Sequence, residues 1–497
     1  MYISHLWHQL RQSFWFVPSL ITIGAAVLSQ ITLKLDETLP WHEYNGLGWI
    51  YSGSGEGAGI LLSAIVGSMI TATSITFSMT LVALTLTASQ YGPRLLQNFM
   101  RRPGSQIVLG TFLATFIFSL LFLRSIQVNG EVAVVPHLSV TVAVSLALAS
   151  VGVLIFFIHH IAKAIQADTI IGQVYADLLA SIDRMFPEQI GQGSATDGDH
   201  QAARTVPDEA SLRRYLREGV SVRSSSTGYL QAVDAEGLLE LAMEHNLVIL
   251  LHRRPGHFII ENQLIATLSS THGDTKEASL RVCDLLILGQ ERTSEQDVEF
   301  AILQLVEIAV RALSPGINDP HTAMRCLDWL SAALCRISER RLPNPQRYDP
   351  QGNVRVIAER ASLDGLVDVA FHQIRQASAG KPALLIRLLE SLTSIAAQVQ
   401  ERSMLEALQR HADMVMREGW RTVPEQHDRS DVEGQYEDAL NCLRHQEERH
   451  MLGPTRPDDA QSIELPATNG VQFHAQQTAD SLIGSSHIQR ITFCQSP

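Results

Sequence analysis

Four stretches of the chain contain no Asp, Glu, Lys or Arg, and this pattern restricts the possible folds more than any other feature. They are residues 13–33, 58–88, 105–123 and 138–162. A helix that rises about 1.5 Å per residue needs about 20 apolar residues to cross about 30 Å of hydrocarbon. Each stretch is therefore predicted to be a transmembrane helix. The first is too long for a cleaved signal peptide, and no small-x-small cleavage site follows it.

The charges between the spans predict their orientation. Residues 89–104 hold three arginines and no acid, whereas residues 34–57 hold one lysine and four acids. Short basic loops stay on the cytoplasmic side of a membrane. We therefore expect the 89–104 loop and both termini in the cytoplasm, and the lipid bilayer as the first partner of the protein.

The remaining residues differ in composition along the chain, which predicts a membrane α-helical fold with a mixed cytoplasmic region. The predicted segments are a four-span membrane domain (1–165), an amphipathic connecting helix (166–189), a mobile loop (190–227), a small α/β domain (228–290), a mainly helical cytoplasmic domain (291–446) and a disordered tail (447–497). Gly, Asp and Ser dominate the loop, while short alternating runs predict the strands. The tail has weak periodicity and few apolar residues.

Charge, cysteines and motifs exclude several functional classes. Residues 1–165 hold 7 basic and 5 acidic residues, and the remainder holds 31 basic and 46 acidic ones. Such an acidic region is a poor partner for nucleic acid. The five cysteines form no Cys-x-x-Cys pair, so we expect reduced thiols, no zinc site and no cofactor. The P-loop, Gly-x-Ser-x-Gly, His-Glu-x-x-His and EF-hand patterns are also absent from the sequence, which argues against an enzyme.

The second predicted span is apolar in total but rich in hydroxyl groups. One face carries a stripe of small or hydroxyl residues, Ser63, Gly67, Thr71, Ser74, Ser78, Thr85 and Ser89, and a second stripe consists of Thr73, Thr76, Thr80 and Thr87. Hydroxyls in a membrane need hydrogen-bond partners. The pattern therefore predicts either a closely packed helix of the chain's own bundle or the lining of a polar, weakly selective path between several subunits.

The segment RALSPGINDPHTA, residues 311–323, separates two predicted helices. It fits a plain helical hairpin, in which Gly316 closes the first helix in the left-handed conformation and Asp319 caps the second helix ahead of Pro320. That interpretation leaves other polar residues unexplained. The alternative is a ligand or coupling site at the N-terminus of the second helix, formed by Glu307, Arg311, Asn318, Asp319 and His321.

Two further polar features allow alternative interpretations. His159 and His160 end the fourth predicted span, where an interfacial position is expected and a pH-sensing contact is the alternative. The basic turn at 252–257, HRRPGH, is expected to be solvated, with an anion site as the alternative.

Several segments resemble the bacterial membrane family called domain of unknown function 2254. They are FSMTLVALTLTASQYGPRLLQNFM (77–100), FFIHHIAKAIQ (156–166), GYLQAVD (228–234), RPGHFI (254–259) and the most specific one, RTSEQDVEFAILQLVEIAVRALSPGINDPHTA (292–323). The resemblance extends from the first span to about residue 420. It implies an inner-membrane protein and implies no reaction, cofactor or catalytic residue.

Together these patterns favour a channel or transport-type protein. It would be a homo-oligomer assembled around the second span, with the cytoplasmic region as gate or assembly platform. The alternative is a membrane-anchored sensor or scaffold, in which the two helices of the hairpin bind a cytoplasmic protein partner. Polar stripes that meet on one symmetry axis would favour the channel, and burial of the same helix in its own bundle would favour the scaffold.

Overall fold

The structure is a computed structural model, and it describes residues 15–38, 51–92, 103–128, 137–186, 219–270, 275–340, 344–399 and 401–452. Most of the basic 89–104 loop lies outside these ranges. So do the predicted mobile loop up to residue 218 and the predicted tail after residue 452.

Within the described ranges, four helices are long and apolar enough to cross a membrane. They are α1 (Phe16–Thr38), α2 (Gly55–Tyr91), α3 (Pro103–Val128) and α4 (His137–Ala164). The four predicted spans are thereby confirmed. Helix α3 lies at the centre because it packs against the other three, and its Phe112, Phe118 and Phe122 are fully buried. At Gly110 of α3 a Cβ atom would lie 2.8 Å from the Ile21 side chain, so glycine permits the close approach of α1.

A buried acid ties α1 to α4 at the end of the bundle where α2 begins. One carboxylate oxygen of Asp36 accepts a hydrogen bond from the Leu138 N–H at 2.9 Å, and the other accepts one from the Ser139 N–H at 3.0 Å and one from the Ser139 hydroxyl. The first N–H groups of a helix have no partner within it. Asp36 therefore caps a helix that begins more than a hundred residues later. Beside it, Tyr51 N–H donates to the Thr141 hydroxyl at 2.8 Å.

Helix α5 (Ala167–Met185) begins directly after α4 and leads into a second core. Its apolar face, which includes Ile171, Leu178 and Ile182, is fully buried. It packs with α8 (Val298–Ala312), α9 (Pro320–Ser338), α10 (Leu363–Ala377), α11 (Pro382–Ala396), α12 (Arg402–Thr422) and α13 (Gln426–Leu452). We call these seven helices the helical body.

Two sheets stand beside this core. The five-stranded sheet has the order β1 (Val220–Arg223), β5 (Leu264–Ser270), β3 (Leu247–Leu251), β8 (Val354–Ala358) and β7 (Gln346–Tyr348). The three-stranded sheet has the order β4 (Phe258–Ile259), β2 (Gly228–Val233) and β6 (Leu286–Gly289). All neighbouring strands are antiparallel except β3 and β8. Helices α6 (Ala235–Glu244) and α7 (Thr275–Asp284) connect strands.

The larger sheet extends beyond the predicted α/β segment of 228–290. Strand β1 lies in the predicted mobile loop, and strands β7 and β8 lie in the predicted helical domain. Strand β8 is five residues long and pairs with β3, placing Val356 opposite Ile249. Its stability therefore comes from a partner about a hundred residues earlier, which local periodicity does not reveal.

Candidate functional site

The second span reaches from the membrane into the helical body. Helix α2 has 37 residues, a length of about 55 Å at 1.5 Å per residue, against about 30 Å of hydrocarbon. The helix is therefore longer than the hydrocarbon is thick. Its last residue, Tyr91, packs against the core of the helical body. The end of α2 is therefore a junction between the two parts of the molecule.

Gly92 ends α2 directly against two residues of the predicted site. A Cβ atom at Gly92 would lie 2.8 Å from Glu307 Oε1 and 3.2 Å from Arg311 Nε. The backbone of Gly92 has φ 111° and ψ 151°, a region open almost only to glycine. Glu307 and Arg311 themselves pair at 3.3 Å across one turn of α8. The predicted residues Glu307 and Arg311 thus enclose the end of the second span.

Asp319 reaches the same junction from the hairpin. It is the N-cap of α9, as predicted, accepting a hydrogen bond from the Thr322 N–H at 3.1 Å and one from the Thr322 hydroxyl at 2.6 Å. These bonds, the one from the hydroxyl first, lower the pKa of the Asp319 carboxyl. The carboxylate is also close enough to Tyr91 to act on its phenol electrostatically. Glu307 and Arg311 therefore contact the end of α2 at Gly92, and the Asp319 carboxylate acts on the neighbouring Tyr91 electrostatically.

The other two predicted residues have a simpler explanation. Asn318 has φ 49°, so the left-handed residue of the hairpin is Asn318 and not Gly316 as expected. Asparagine tolerates this conformation better than most side chains. Its N–H donates to Ser314 O at 2.9 Å, which closes the turn. His321 is exposed on the first turn of α9. Asn318 thus shapes the turn, while His321 acts on the Asp319 carboxylate through its backbone N–H and its side-chain charge.

The basic turn at 252–257 is half-buried, which corrects the expectation that it is solvated. Arg254 pairs with Glu299 at 2.6 Å, and Gly256, at φ 92°, leaves no room for a side chain beside Asp297. Asp297 is the N-cap of α8 and accepts a hydrogen bond from the Phe300 N–H at 3.0 Å. Burial raises the pKa of Asp297 against the opposing effect of Arg292. The turn therefore anchors the start of α8.

The first hydroxyl stripe of α2 faces away from the chain's own bundle. All seven of its members are exposed: Ser63, Gly67, Thr71, Ser74, Ser78, Thr85 and Ser89. The opposite face packs against the bundle and consists of Ala58, Leu62, Ile65, Met69, Thr76, Ala83 and Thr87. At about 100° per residue the two faces lie about 180° apart. Of the second stripe, Thr76 and Thr87 are buried and Thr73 and Thr80 half-buried, so that stripe belongs to the packed face.

The exposed stripe is bordered by large apolar side chains. Ile70 and Phe77 lie on one side of it and Ile75 and Val82 on the other, all exposed. Several stripe hydroxyls bond their own helix, for example Thr71 to Gly67 O at 3.0 Å. The outward surface of α2 is therefore a strip of small and hydroxyl residues between two apolar margins, interrupted by the exposed side chains of Ile60 and Leu81.

The paired histidines at the end of α4 have different surroundings. His159 is exposed, whereas His160 is half-buried and stacks on Phe156 with ring centroids 5.5 Å apart. A Cβ atom at Gly104 would lie 2.9 Å from His160 Nε2, so this histidine contacts the start of α3. His160 thus joins two spans at the end of the bundle nearest α5.

Substitution of Asp319 separates capping from a further role of its carboxylate. We expect Asp319→Ser and Asp319→Asn to unfold at nearly the wild-type temperature, since both residues cap helices well, and Asp319→Ala to lose about 1 kcal/mol. Thermal unfolding of the purified protein measures this, with His445→Ala, an exposed residue of α13, as the control. An Asn variant as unstable as the Ala variant would show that the negative charge near Tyr91 matters beyond the cap.

Comparison with known proteins places the chain in a family. It is 30% identical over 437 residues to uncharacterized proteins of Mycobacterium bovis and Mycobacterium tuberculosis, which covers 86% of this chain and 80% of each relative. No solved structure matches the chain. A family model described as "Predicted membrane protein (DUF2254)" matches residues 11–394, which include the four spans and the junction at Gly92. The chain therefore belongs to this family of predicted membrane proteins.

Proposed function

We propose that the protein is an oligomeric channel or transport-type protein of the bacterial inner membrane. In this proposal copies of α2 line a polar path, and the helical body acts as its gate or assembly platform. The observation that carries the proposal is the outward position of the hydroxyl stripe, opposite the face that packs against the chain's own bundle.

The stripe is better suited to a second copy of the chain than to lipid. Lipid tails fill the space around large apolar side chains such as Ile70 and Phe77, which flank the stripe. Small residues such as Gly67 instead allow close helix contact, and hydroxyls can bond across such a contact or to water. Several copies of α2 around one axis would turn their stripes inward and leave the apolar margins for helix contacts and lipid.

The junction supports a gating role for the helical body. Tyr91 packs against its core, and Gly92 is in contact with Glu307 and Arg311. A shift of α8 would therefore move the end of α2 with it. Glu307, Arg311 and Asp319 are in this view coupling residues, while His159 and His160 remain a proposed pH-sensing contact at the end of α4.

The orientation of the protein follows from the basic loop. The segment with Arg94, Arg101 and Arg102 directly follows the end of α2 that meets the helical body. Basic loops of this length favour the cytoplasmic side. In this proposal the helical body and both termini lie in the cytoplasm.

The alternative, a membrane-anchored sensor or scaffold, has one observation in its favour. A groove of about 530 Å³ lies between α9 and α11. Its charged lining includes Asp328, Arg336, Glu339, Arg387 and Glu390. Both signs of charge are present, which suits a cytoplasmic protein partner with a mixed surface.

Flux through the purified, reconstituted protein tests the proposal. Thr71→Leu and Ser78→Leu should assemble normally and conduct much less, because apolar constrictions exclude water from a narrow path. Ser78→Asp should raise the preference for cations by placing a ring of charge. Ile75→Leu, at an exposed apolar margin position, is the matched control and should conduct like the wild type.

Oligomer size is measured on the same samples to separate assembly from conduction. Absence of flux from a correctly assembled wild-type oligomer, across voltage, pH and membrane tension, would favour the scaffold. So would leucine variants that cannot assemble, because their stripe would then be a contact surface with no open space.

A further inference from the structure

We infer that Asp368, His372 and His411 form a binding site for a transition-metal ion of the Zn²⁺ type on the helical body. This inference is independent of the channel proposal. It also departs from the expectation of no zinc site, which rested on cysteine spacing alone. Carboxylate and imidazole groups together suit Zn²⁺ and similar ions.

The three side chains converge from two helices. Asp368 and His372 are four residues apart on α10, so they share one helix face, and His411 faces them from α12. His372 Nε2 lies 3.3 Å from Asp368 Oδ1, and His411 Nε2 lies 2.8 Å from the same oxygen. One donor atom from each residue lies within 4.8 Å of the others.

These separations are close to those around a tetrahedral metal. Two ligand atoms about 2.05 Å from Zn²⁺ at the tetrahedral angle are about 3.3 Å apart. The Asp368–His372 pair already has this spacing. The His411–Asp368 pair needs to open by about half an ångström, which the replacement of its hydrogen bond by the ion would accomplish.

His411 is the buried member of the cluster. Its side chain is 1% exposed, and its Nε2 lies 2.8 Å from Asp368 Oδ1. Its Nδ1 is buried and has no hydrogen-bond partner among the described residues. A metal ion would bind the Nε2 lone pair of the neutral imidazole, in the tautomer that carries its proton on Nδ1.

Arg410 is the nearest competitor for the carboxylate. It donates to Asp368 Oδ1 at 2.6 Å, and its side chain is 47% exposed, so it has room to turn into solvent. The His372 side chain is 40% exposed. Three protein ligands with one side open to water correspond to an exchangeable site, unlike the closed four-ligand sites that stabilise folds.

Metal titration of the full-length protein tests the inference. The protein must carry no polyhistidine tag, since the chain already has 19 histidines. We expect one Zn²⁺ per chain by calorimetry, and a rise in visible absorption when Co²⁺ replaces it in tetrahedral coordination. His372→Ala should weaken Zn²⁺ binding more than about 100-fold. That loss is larger than the one expected when only a hydrogen-bond partner of a ligand is removed. His445→Ala, an exposed histidine on α13, should bind like the wild type.

Arg410→Ala gives a second test with the opposite sign. Removal of a positive charge about 6 Å from a divalent ion should tighten Zn²⁺ binding about tenfold, even if the two charges interact at the dielectric constant of water. A cluster that is only a hydrogen-bond network would show no such gain. Equal Zn²⁺ affinity for wild type, His372→Ala and Asp368→Asn, each with an unchanged circular dichroism spectrum, would overturn the inference.

Discussion

Asp36→Ala is expected to destabilise the membrane helices by about 3 kcal/mol. The substitution removes the acceptor for the N–H groups of Leu138 and Ser139 and for the Ser139 hydroxyl. Asp36 is 5% exposed, so water does not readily replace the carboxylate. Buried donors left without a partner cost about 1–3 kcal/mol each. The measurement is the temperature at which the detergent-purified protein loses its monodisperse size-exclusion peak.

Two variants show whether the carboxylate is responsible for this loss. Asp36→Asn keeps one acceptor oxygen at the same position, so its loss should be about half that of the alanine variant. Glu37→Ala changes the next residue, which is exposed, and should melt like the wild type. If Asp36→Ala also melts like the wild type, the cap on α4 contributes nothing to the bundle.

Features that depend on local sequence were predictable. The four spans are visible because the absence of charge over about 20 residues has few other physical explanations. The start of α9 could be predicted because its N-cap, Asp319, and the following Pro320 are neighbours in sequence. The uncharged run of residues 58–88 likewise marks most of α2, which is six residues longer than the run.

Features that depend on distant partners were not predictable. In the sequence Asp36 is one of four acids in the predicted 34–57 loop. Its role as the cap of α4 appears only in the structure, where α4 lies beside it. Strand β8 needs β3, and the Asp368–His372 pair needs His411 from another helix before it becomes a cluster. An Asp-x-x-x-His spacing on a predicted helix was the available signal, but one pair is weak evidence for a site.

The second span also has a property that its own sequence does not determine, namely which of its two faces packs against the bundle. Its sequence has two hydroxyl stripes with helical spacing, and either one fits a packed face. The residues of α3 and α4 decide which stripe packs, and they place Thr76 and Thr87 inside and Thr71 and Ser78 outside. The periodicity of a helix identifies its faces but does not identify the neighbour of each face.

Gly92→Ala is expected to disturb the junction strongly. The φ and ψ angles of Gly92 cost an alanine about 1–3 kcal/mol, and the new Cβ atom would lie 2.8 Å from Glu307 Oε1. Relief of this contact must move either the end of α2 or the Glu307–Arg311 pair. If the helical body gates a path lined by α2, flux at a given voltage should change while oligomer size stays the same.

Control variants distinguish this effect from a general loss of stability. Gly59→Ala lies on the same helix with no atom within 4 Å of the new Cβ, so it should be neutral or slightly stabilising. Glu307→Ala in the Gly92→Ala background removes the close contact, and it should recover the steric part of the stability loss and leave the backbone strain. Because the two residues touch, their effects should not add. Additive effects, or a Gly92→Ala protein that conducts and melts like Gly59→Ala, would mean that the helical body does not act on α2 through Glu307.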